Sequence, residues 1–145
     1  QKLLDVFGDL NGMTISVLGL AFKPNTNDMR SAPSLDVIPM LRSLGARVKA
    51  FDPIAVPEAE KLLGDQAVYS EDLYETIQDT NACVILTEWP EVQNMDIAKL
   101  KSALKNPVLI DRRNIFEIEQ MRNEGMIYHS IGRPEVQGEG ILTNV

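Results

Sequence analysis

The sequence predicts an α/β fold, a single domain built on one parallel sheet with helices on both faces. Strand-like and helix-like segments alternate some five times along the chain, as they do when parallel strands are joined by crossover helices. Two of the apolar runs, Ile15-Ser16-Val17-Leu18 and Ala82-Cys83-Val84-Ile85-Leu86-Thr87, are almost continuous, as strands covered on both faces require. The first of these runs feeds a polar stretch from Gly19 to Ser34, far longer than the few residues usual between a strand and a helix.

Residues 1–13 read as the end of a helix and a turn, with Leu3, Leu4, Val6 and Phe7 apolar and Asn11-Gly12 turning the chain. Met13 to Leu20 is the first strand. Beyond the polar stretch, Ser34 suits the N-cap of a helix in which Leu35, Ile38, Leu41 and Leu44 recur at helical spacing. Pro39 falls about one turn into that helix, where a kink is tolerable, and Gly45 closes it. Arg47 to Asp52 is the second strand, stopped by Pro53. Val56 to Leu63 is a short helix ended by Gly64, and Val68-Tyr69 is a brief strand. Ser70-Glu71-Asp72-Leu73 opens a helix that runs through Ile77. Ala82 to Thr87 is the central strand, and a loop holding Glu88-Trp89-Pro90 follows it. Asp96 to Leu104 is a helix with Ile97, Leu100 and Leu104 turned inward. Pro107 to Asp111 is the next strand, Phe116 to Asn123 a helix ended by Gly125, and Met126 to Ile131 the last strand. The expected organisation is an entry segment at 1–13, an α/β domain at 14–134 and a flexible tail at 135–145.

With 145 residues, 44% of them hydrophobic, the chain can bury one core of ordinary size. A net charge of −7 argues against general nucleic-acid binding, so an anion must find a local cationic site. No apolar run approaches the roughly 20 residues that span a bilayer, and no signal peptide is visible at the start. Cys83, the one cysteine, leaves no internal disulfide and no zinc cluster. A cytoplasmic protein is expected. The start at Gln1, without an initiator methionine, suggests a domain of something longer.

In open α/β sheets ligands sit beyond the carboxyl ends of the strands. Lys23 and Arg30 follow the first strand and Arg112-Arg113 follow a later one, so both cationic groups fall on the same sheet edge. Arginine offers bidentate hydrogen bonds to phosphate, and lysine a compact charge. The competing reading is two ordinary surface clusters, paired with Asp28 or Asp111. A dinucleotide fold would carry Gly-x-Gly-x-x-Gly after its first strand; Gly19 stands alone there, which disfavours a pyrophosphate on the first helix. Asp52 holds the position of a ribose-binding acid, or is a solvated strand-end acid. Trp89 stacks on a base, packs against another domain or covers the sheet edge, with covering favoured. Cys83 reads as a buried small hydrophobe, and His129 has no visible acid partner. No triad, paired carboxylates or metal cluster appears. The residues bind an anion and show no catalytic centre.

Gly19-Leu20-Ala21-Phe22-Lys23-Pro24-Asn25-Thr26-Asn27-Asp28-Met29-Arg30-Ser31-Ala32-Pro33-Ser34 resembles the signature loop of the C-terminal, UDP-binding domain of UDP-glucose 6-dehydrogenases. The match continues through Phe51-Asp52-Pro53, Leu86-Thr87-Glu88-Trp89, Asp111-Arg112-Arg113-Asn114 and Tyr128-His129-Ser130-Ile131-Gly132-Arg133-Pro134, in the same order. It identifies the UDP-glucose/GDP-mannose dehydrogenase superfamily, and the Lys-Pro-Asn-Thr loop and Thr-Glu-Trp stretch look most like its UDP-glucose branch. The resemblance implies a Rossmann-like domain working with an NAD-binding domain and a central helical dimerisation domain of the same polypeptide, in a homo-oligomer. It implies oxidation of the sugar C6 alcohol of UDP-glucose to a carboxylate in two NAD-dependent steps, through a cysteine-bound thiohemiacetal and thioester on the other domains. By the same resemblance Phe22, Lys23 and Arg113 match residues that contact the UDP-sugar, and Arg30 one that reaches the NAD. Asn27 stands where the family usually has Asp, and Arg112 where a glycine is usual. The sibling possibilities are a UDP-N-acetylmannosamine or GDP-mannose dehydrogenase, or a nucleotide-binding module without catalysis.

Overall fold

The computed structural model describes residues 2–136. In chain order its elements are α1 (Lys2–Phe7), β1 (Thr14–Leu18), α2 (Ser34–Ser43), β2 (Arg47–Phe51), α3 (Val56–Leu63), a 3-10 turn (Gly64–Gln66) and β3 (Val68–Ser70). They continue with α4 (Leu73–Ile77), β4 (Ala82–Ile85), α5 (Pro90–Gln93), α6 (Ile97–Ala103), β5 (Val108–Asp111), α7 (Ile118–Asn123) and β6 (Ile127–His129). All strand pairs are parallel and the order is β3-β2-β1-β4-β5-β6. This is a doubly wound sheet whose connections reverse direction between β1 and β4, where such sheets open toward ligands.

The alternation of the strands sorts the core into two layers. Ile15, Val17, Val48, Ala50, Val84 and Ile110 face one side, under α1, α2 and α3. Leu18, Phe51, Cys83, Ile85, Leu109 and Tyr128 face the other, under α4, α6 and α7. Each fully buried aliphatic or aromatic side chain contributes about 1.5–3 kcal/mol relative to exposure, so the two apolar layers hold the strands at the register that sets the loops beyond them.

Local signals account for most boundaries. Asp72 and Asp96 cap α4 and α6 by accepting hydrogen bonds from the backbone N–H of Glu75 and Lys99. Gly45, at φ 89°, ends α2 by donating to Arg42 O while Ala46 N–H donates back to Leu41 O, a reciprocal pair that satisfies the last carbonyls. Pro39 lies inside α2, which continues only to Ser43. Three expectations are corrected. Ser34 is the first residue of α2 rather than its cap, because its hydroxyl is spent donating to Leu20 O at 2.7 Å. Pro90–Gln93 forms a further helical turn, α5, begun by a proline whose φ is already helical. Val136, expected in the tail, is buried and pairs with Tyr128 through two backbone hydrogen bonds of 2.9 and 3.0 Å, covering part of the outer edge of β6. The rest of that expected tail, from 137, lies outside the described residues.

Candidate functional site

The carboxyl edge of β1, β4 and β5 gathers the cationic segments, and its organiser is a carboxylate. Asp52 is fully buried just beyond β2. Its Oδ2 accepts from the backbone N–H of Leu20 (2.9 Å) and Ala21 (3.1 Å) and from Trp89 Nε1 (3.1 Å). Its Oδ1 accepts from Ile54 N–H (2.8 Å) and Ala55 N–H (2.7 Å). Asp52 is therefore neither a ribose acid nor a solvated strand end. Trp89 is buried with its N–H committed, so it covers the sheet and has no face to offer a base.

Two more contacts lock the root of the loop. Thr87 Oγ1 donates to Ala21 O at 2.7 Å, and Ser34 Oγ to Leu20 O. Gly19 sits at φ 101°, and a Cβ there would come within 2.6 Å of Thr87 N, so only glycine lets β1 and the end of β4 approach this closely. The root of the loop is thus packed against the end of β4, and the Leu20 and Ala21 amides, which could meet a pyrophosphate, are already satisfied by Asp52.

Past this root the loop rises into solvent. Phe22 N–H donates to Asp28 O at 2.9 Å, closing a ring that holds Asn25 at positive φ (65°); Ser31, past the ring, is also at positive φ (57°). Arg30 grips Asp28 through Nε (3.1 Å) and Nη2 (2.9 Å), while its own backbone N–H donates to Asp28 Oδ1 (2.9 Å). The Arg30 guanidinium first, then that backbone N–H, and with a smaller share the Lys23 charge, hold the Asp28 carboxyl down at about 2. Lys23 and Arg30 are both exposed, and Phe22 is 43% exposed.

From β5 the second cationic arm reaches back. Asp111, buried at the strand end, accepts from Arg113 N–H (2.9 Å) with Oδ1, and from Ile115 N–H (2.7 Å) and Tyr128 OH (2.5 Å) with Oδ2. That turn throws the Arg113 side chain across β4. Its Nε donates to Leu86 O (2.9 Å) and its Nη2 to Phe22 O (3.0 Å), with Glu88 Oε2 3.6 Å from Nε. Phe22 and Arg113 are thereby in direct contact, Lys23 follows Phe22 in sequence, and Lys23 and Arg30 both act on the charge of Asp28.

The remaining chemistry-bearing residues are structural. Burial pushes the Cys83 thiol up to about 12, keeping it protonated. Burial, and then donation to Asp111, raises the Tyr128 phenol above its ordinary range; Arg133 Nη2 donates to the same oxygen at 2.7 Å. His129, expected to lack an acid partner, has Glu135 Oε1 3.2 Å from its Nδ1, close enough for a charge contact but without hydrogen-bond alignment. Among the described residues no group of three His, Cys, Asp or Glu side chains is placed to hold a metal ion, and no helix is long and apolar enough to cross a membrane. The sequence did not single out Glu88, Tyr128 and Arg133 as parts of this scaffold; the only signal was their place inside the matched motifs.

Residues 16–118 match the model of the UDP-glucose/GDP-mannose dehydrogenase family, UDP binding domain. The chain is 63% identical over 138 residues to UDP-glucose 6-dehydrogenase TuaD of Bacillus subtilis (strain 168), covering 95% of this chain and 30% of that protein. Its fold superposes on a UDP-glucose dehydrogenase from Pyrobaculum islandicum with a TM-score of 0.75 and 34% identity, covering 89% of this chain and 27% of that one. A UDP-D-ManNAc dehydrogenase from Pyrococcus horikoshii gives 0.71 and 25% identity, covering 91% of this chain and 28% of the other. The chain spans about 30% of the length of UDP-glucose 6-dehydrogenase TuaD and of the UDP-glucose 6-dehydrogenase of Rhizobium meliloti (strain 1021).

Proposed function

Since the chain belongs to the UDP-glucose/GDP-mannose dehydrogenase family, as its UDP-binding domain, we propose that it supplies the UDP-sugar half of an NAD-dependent UDP-glucose 6-dehydrogenase. The observation that carries this reading is the reach of Arg113 from β5 over β4 to the Phe22 carbonyl, 3.0 Å away. It makes one cationic wall out of two loops at a sheet edge where ligands sit. In this reading residues 1–13 end the connection from a central domain, 14–134 form the UDP-binding domain, and the full polypeptide is a cytoplasmic homo-oligomer.

Each residue has a share of the binding. The exposed Phe22 ring packs against the nucleotide sugar, and Lys23 places a point charge on its diphosphate. Arg113 spends Nε and one Nη2 hydrogen on the scaffold, leaving three of its five N–H donors for the ligand at a fixed angle. Arg30 turns outward from the loop toward the cofactor of a neighbouring domain. The first β–α turn does not suit a bound dinucleotide, because Gly19 has no partner glycines and Asp52 already takes the amides of Leu20 and Ala21. Arg30 alone suits such a contact. NAD, held mainly elsewhere, supplies hydride acceptance; the cysteine that carries the thioester also lies on the other domains.

The test uses the full polypeptide with Lys23→Ala and Arg113→Ala, assayed on UDP-glucose, UDP-N-acetylmannosamine and GDP-mannose. Loss of a charge-assisted contact removes about 1.5–3 kcal/mol, so kcat/KM for UDP-glucose falls about tenfold or more. Wild-type constants in both variants would sink the assignment, and a preference for another sugar would move the chain to a sibling enzyme. Residues 1–145 alone are expected to oxidise no sugar, since only part of the pocket is present.

A further inference from the structure

Two cations of the proposed wall already have a carboxylate beside them. Arg30 holds Asp28 through Nε (3.1 Å) and Nη2 (2.9 Å), and Arg113 Nε lies 3.6 Å from Glu88 Oε2. The Arg30 side chain is 89% accessible, so water screens the first pair. The second pair is more enclosed, with Arg113 at 31% and Glu88 at 35%, and its charges act more strongly on whatever binds there. We propose that Glu88 sets the charge selectivity of this site: it weakens the hold of Arg113 on highly charged anions, favouring a nucleoside diphosphate sugar over the free nucleoside diphosphate. The inference rests on the reading of Arg113 as a UDP-sugar contact.

The backbone that carries Glu88 is held on both sides. Thr87 Oγ1 donates to Ala21 O at 2.7 Å and Trp89 Nε1 to Asp52 Oδ2 at 3.1 Å, and both residues are buried. Gln93 Nε2, from α5, donates to the Glu88 carbonyl at 2.7 Å. Arg113 is the one ion-pair partner of the Glu88 side chain among the described residues. The guanidinium is held as well. Its Nε donates to Leu86 O and its Nη2 to Phe22 O, so the edge formed by these two nitrogens belongs to the protein. The other edge, with Nη1 and the second Nη2 hydrogen, suits two oxygens of one phosphate. Glu88 stands on the Nε side. It leaves the open donors untouched and subtracts from the charge behind them.

That subtraction falls unequally on different ligands, because Coulomb energy grows with ligand charge. In a nucleotide sugar the terminal phosphate is esterified and cannot take up its second negative charge. In free UDP it carries most of that charge near neutral pH, as phosphate monoesters do. The difference lies on the diphosphate, the part of the ligand that faces the cations. Arg113 by itself would favour free UDP; the carboxylate beside it takes that advantage away.

Calorimetry on the full polypeptide, without NAD and at low salt, tests this with UDP and UDP-glucose. In Glu88→Gln the Kd for UDP should fall about threefold or more, and that for UDP-glucose by less. Raising the salt to about 1 M should remove most of the difference. Unchanged or weaker UDP binding in Glu88→Gln overturns the proposal, and so does an equal gain for both ligands. A loosened fold does not tighten binding, so a gain reports charge rather than structure. Glu88→Asp keeps the charge and should keep the wild-type ratio of the two constants; a ratio that moves as in Glu88→Gln also counts against the proposal. Glu60→Gln, at an exposed position of α3, makes the same change in net charge and should alter neither constant. The same gain there assigns the effect to overall charge and overturns the role of Glu88. Wild-type UDP-glucose binding in Arg113→Ala would show the wall itself to be misassigned. Weak binding in Arg113→Ala with no change in Glu88→Gln would remove the selectivity alone.

Discussion

Arg113 Nη2 donates to the Phe22 carbonyl at 3.0 Å, joining the loop after β5 to the loop after β1 over the intervening end of β4. The bond makes Arg113 a strut, under the proposed function Arg113 is a ligand-facing cation as well, and the two roles separate in a lysine variant. Arg113→Lys keeps the charge but has one terminal nitrogen and cannot serve Leu86 O, Phe22 O and an anion together. It should therefore recover only part of the UDP affinity lost in Arg113→Ala, measured by calorimetry on the full polypeptide.

The five donors on Asp52 make it the most costly polar residue to remove from this edge. Asp52→Ala strands buried N–H groups of Leu20, Ala21, Ala55 and Trp89, and should lower unfolding stability by roughly 3 kcal/mol or more in urea titrations. Trp89→Phe removes one donor and should cost about 1–2 kcal/mol, with no loss of nucleotide affinity, because the indole is buried against the sheet.

At Gly19 a side chain meets both a left-handed φ of 101° and the Thr87 backbone. Gly19→Ala should destabilise by more than the roughly 1–3 kcal/mol of backbone strain alone. The measurement is a thermal melt, with amide shifts at Ala21 and Thr87 reporting the spread of the two strands.

Asp28 gives a direct electrostatic check. Its carboxyl carbon should titrate near 2 in NMR, and Arg30→Ala should return it toward the ordinary 3.8, since the Arg30 hydrogen bonds are the leading cause. The sign follows: a folded pKa below the unfolded one stabilises the native loop above pH 3.8 and loses that contribution as pH falls through about 2.

Much of this architecture was legible in the residues. The continuous run at Ala82–Ile85, the Gly45 stop and the exact span of α3 follow from local pattern, and the alternation of strands and helices places the cations after β1 and β5 on one sheet edge. The internal commitments of the polar groups were not legible. A strand-end Asp reads the same whether it meets water, a ribose or four amides and an indole, and nothing within a few residues of Asp52 announces Trp89, 37 positions away. Ser34 misled for a similar reason, since a serine before a helix serves equally as a cap or as a donor to a distant carbonyl.

Asp52, Thr87 and Ser34 hold the base of the long loop through contacts that involve no ligand. The base is thus preorganised, and an incoming nucleotide sugar has only the tip beyond Phe22 left to order. Since each immobilised rotamer-rich side chain takes about 0.5–1.5 kcal/mol from binding, a fixed base leaves more of the diphosphate's attraction to appear as affinity. It also localises adaptability: under the proposed function, exchanges between Lys23 and Ser31 should alter ligand binding while the sheet that presents them stays as it is.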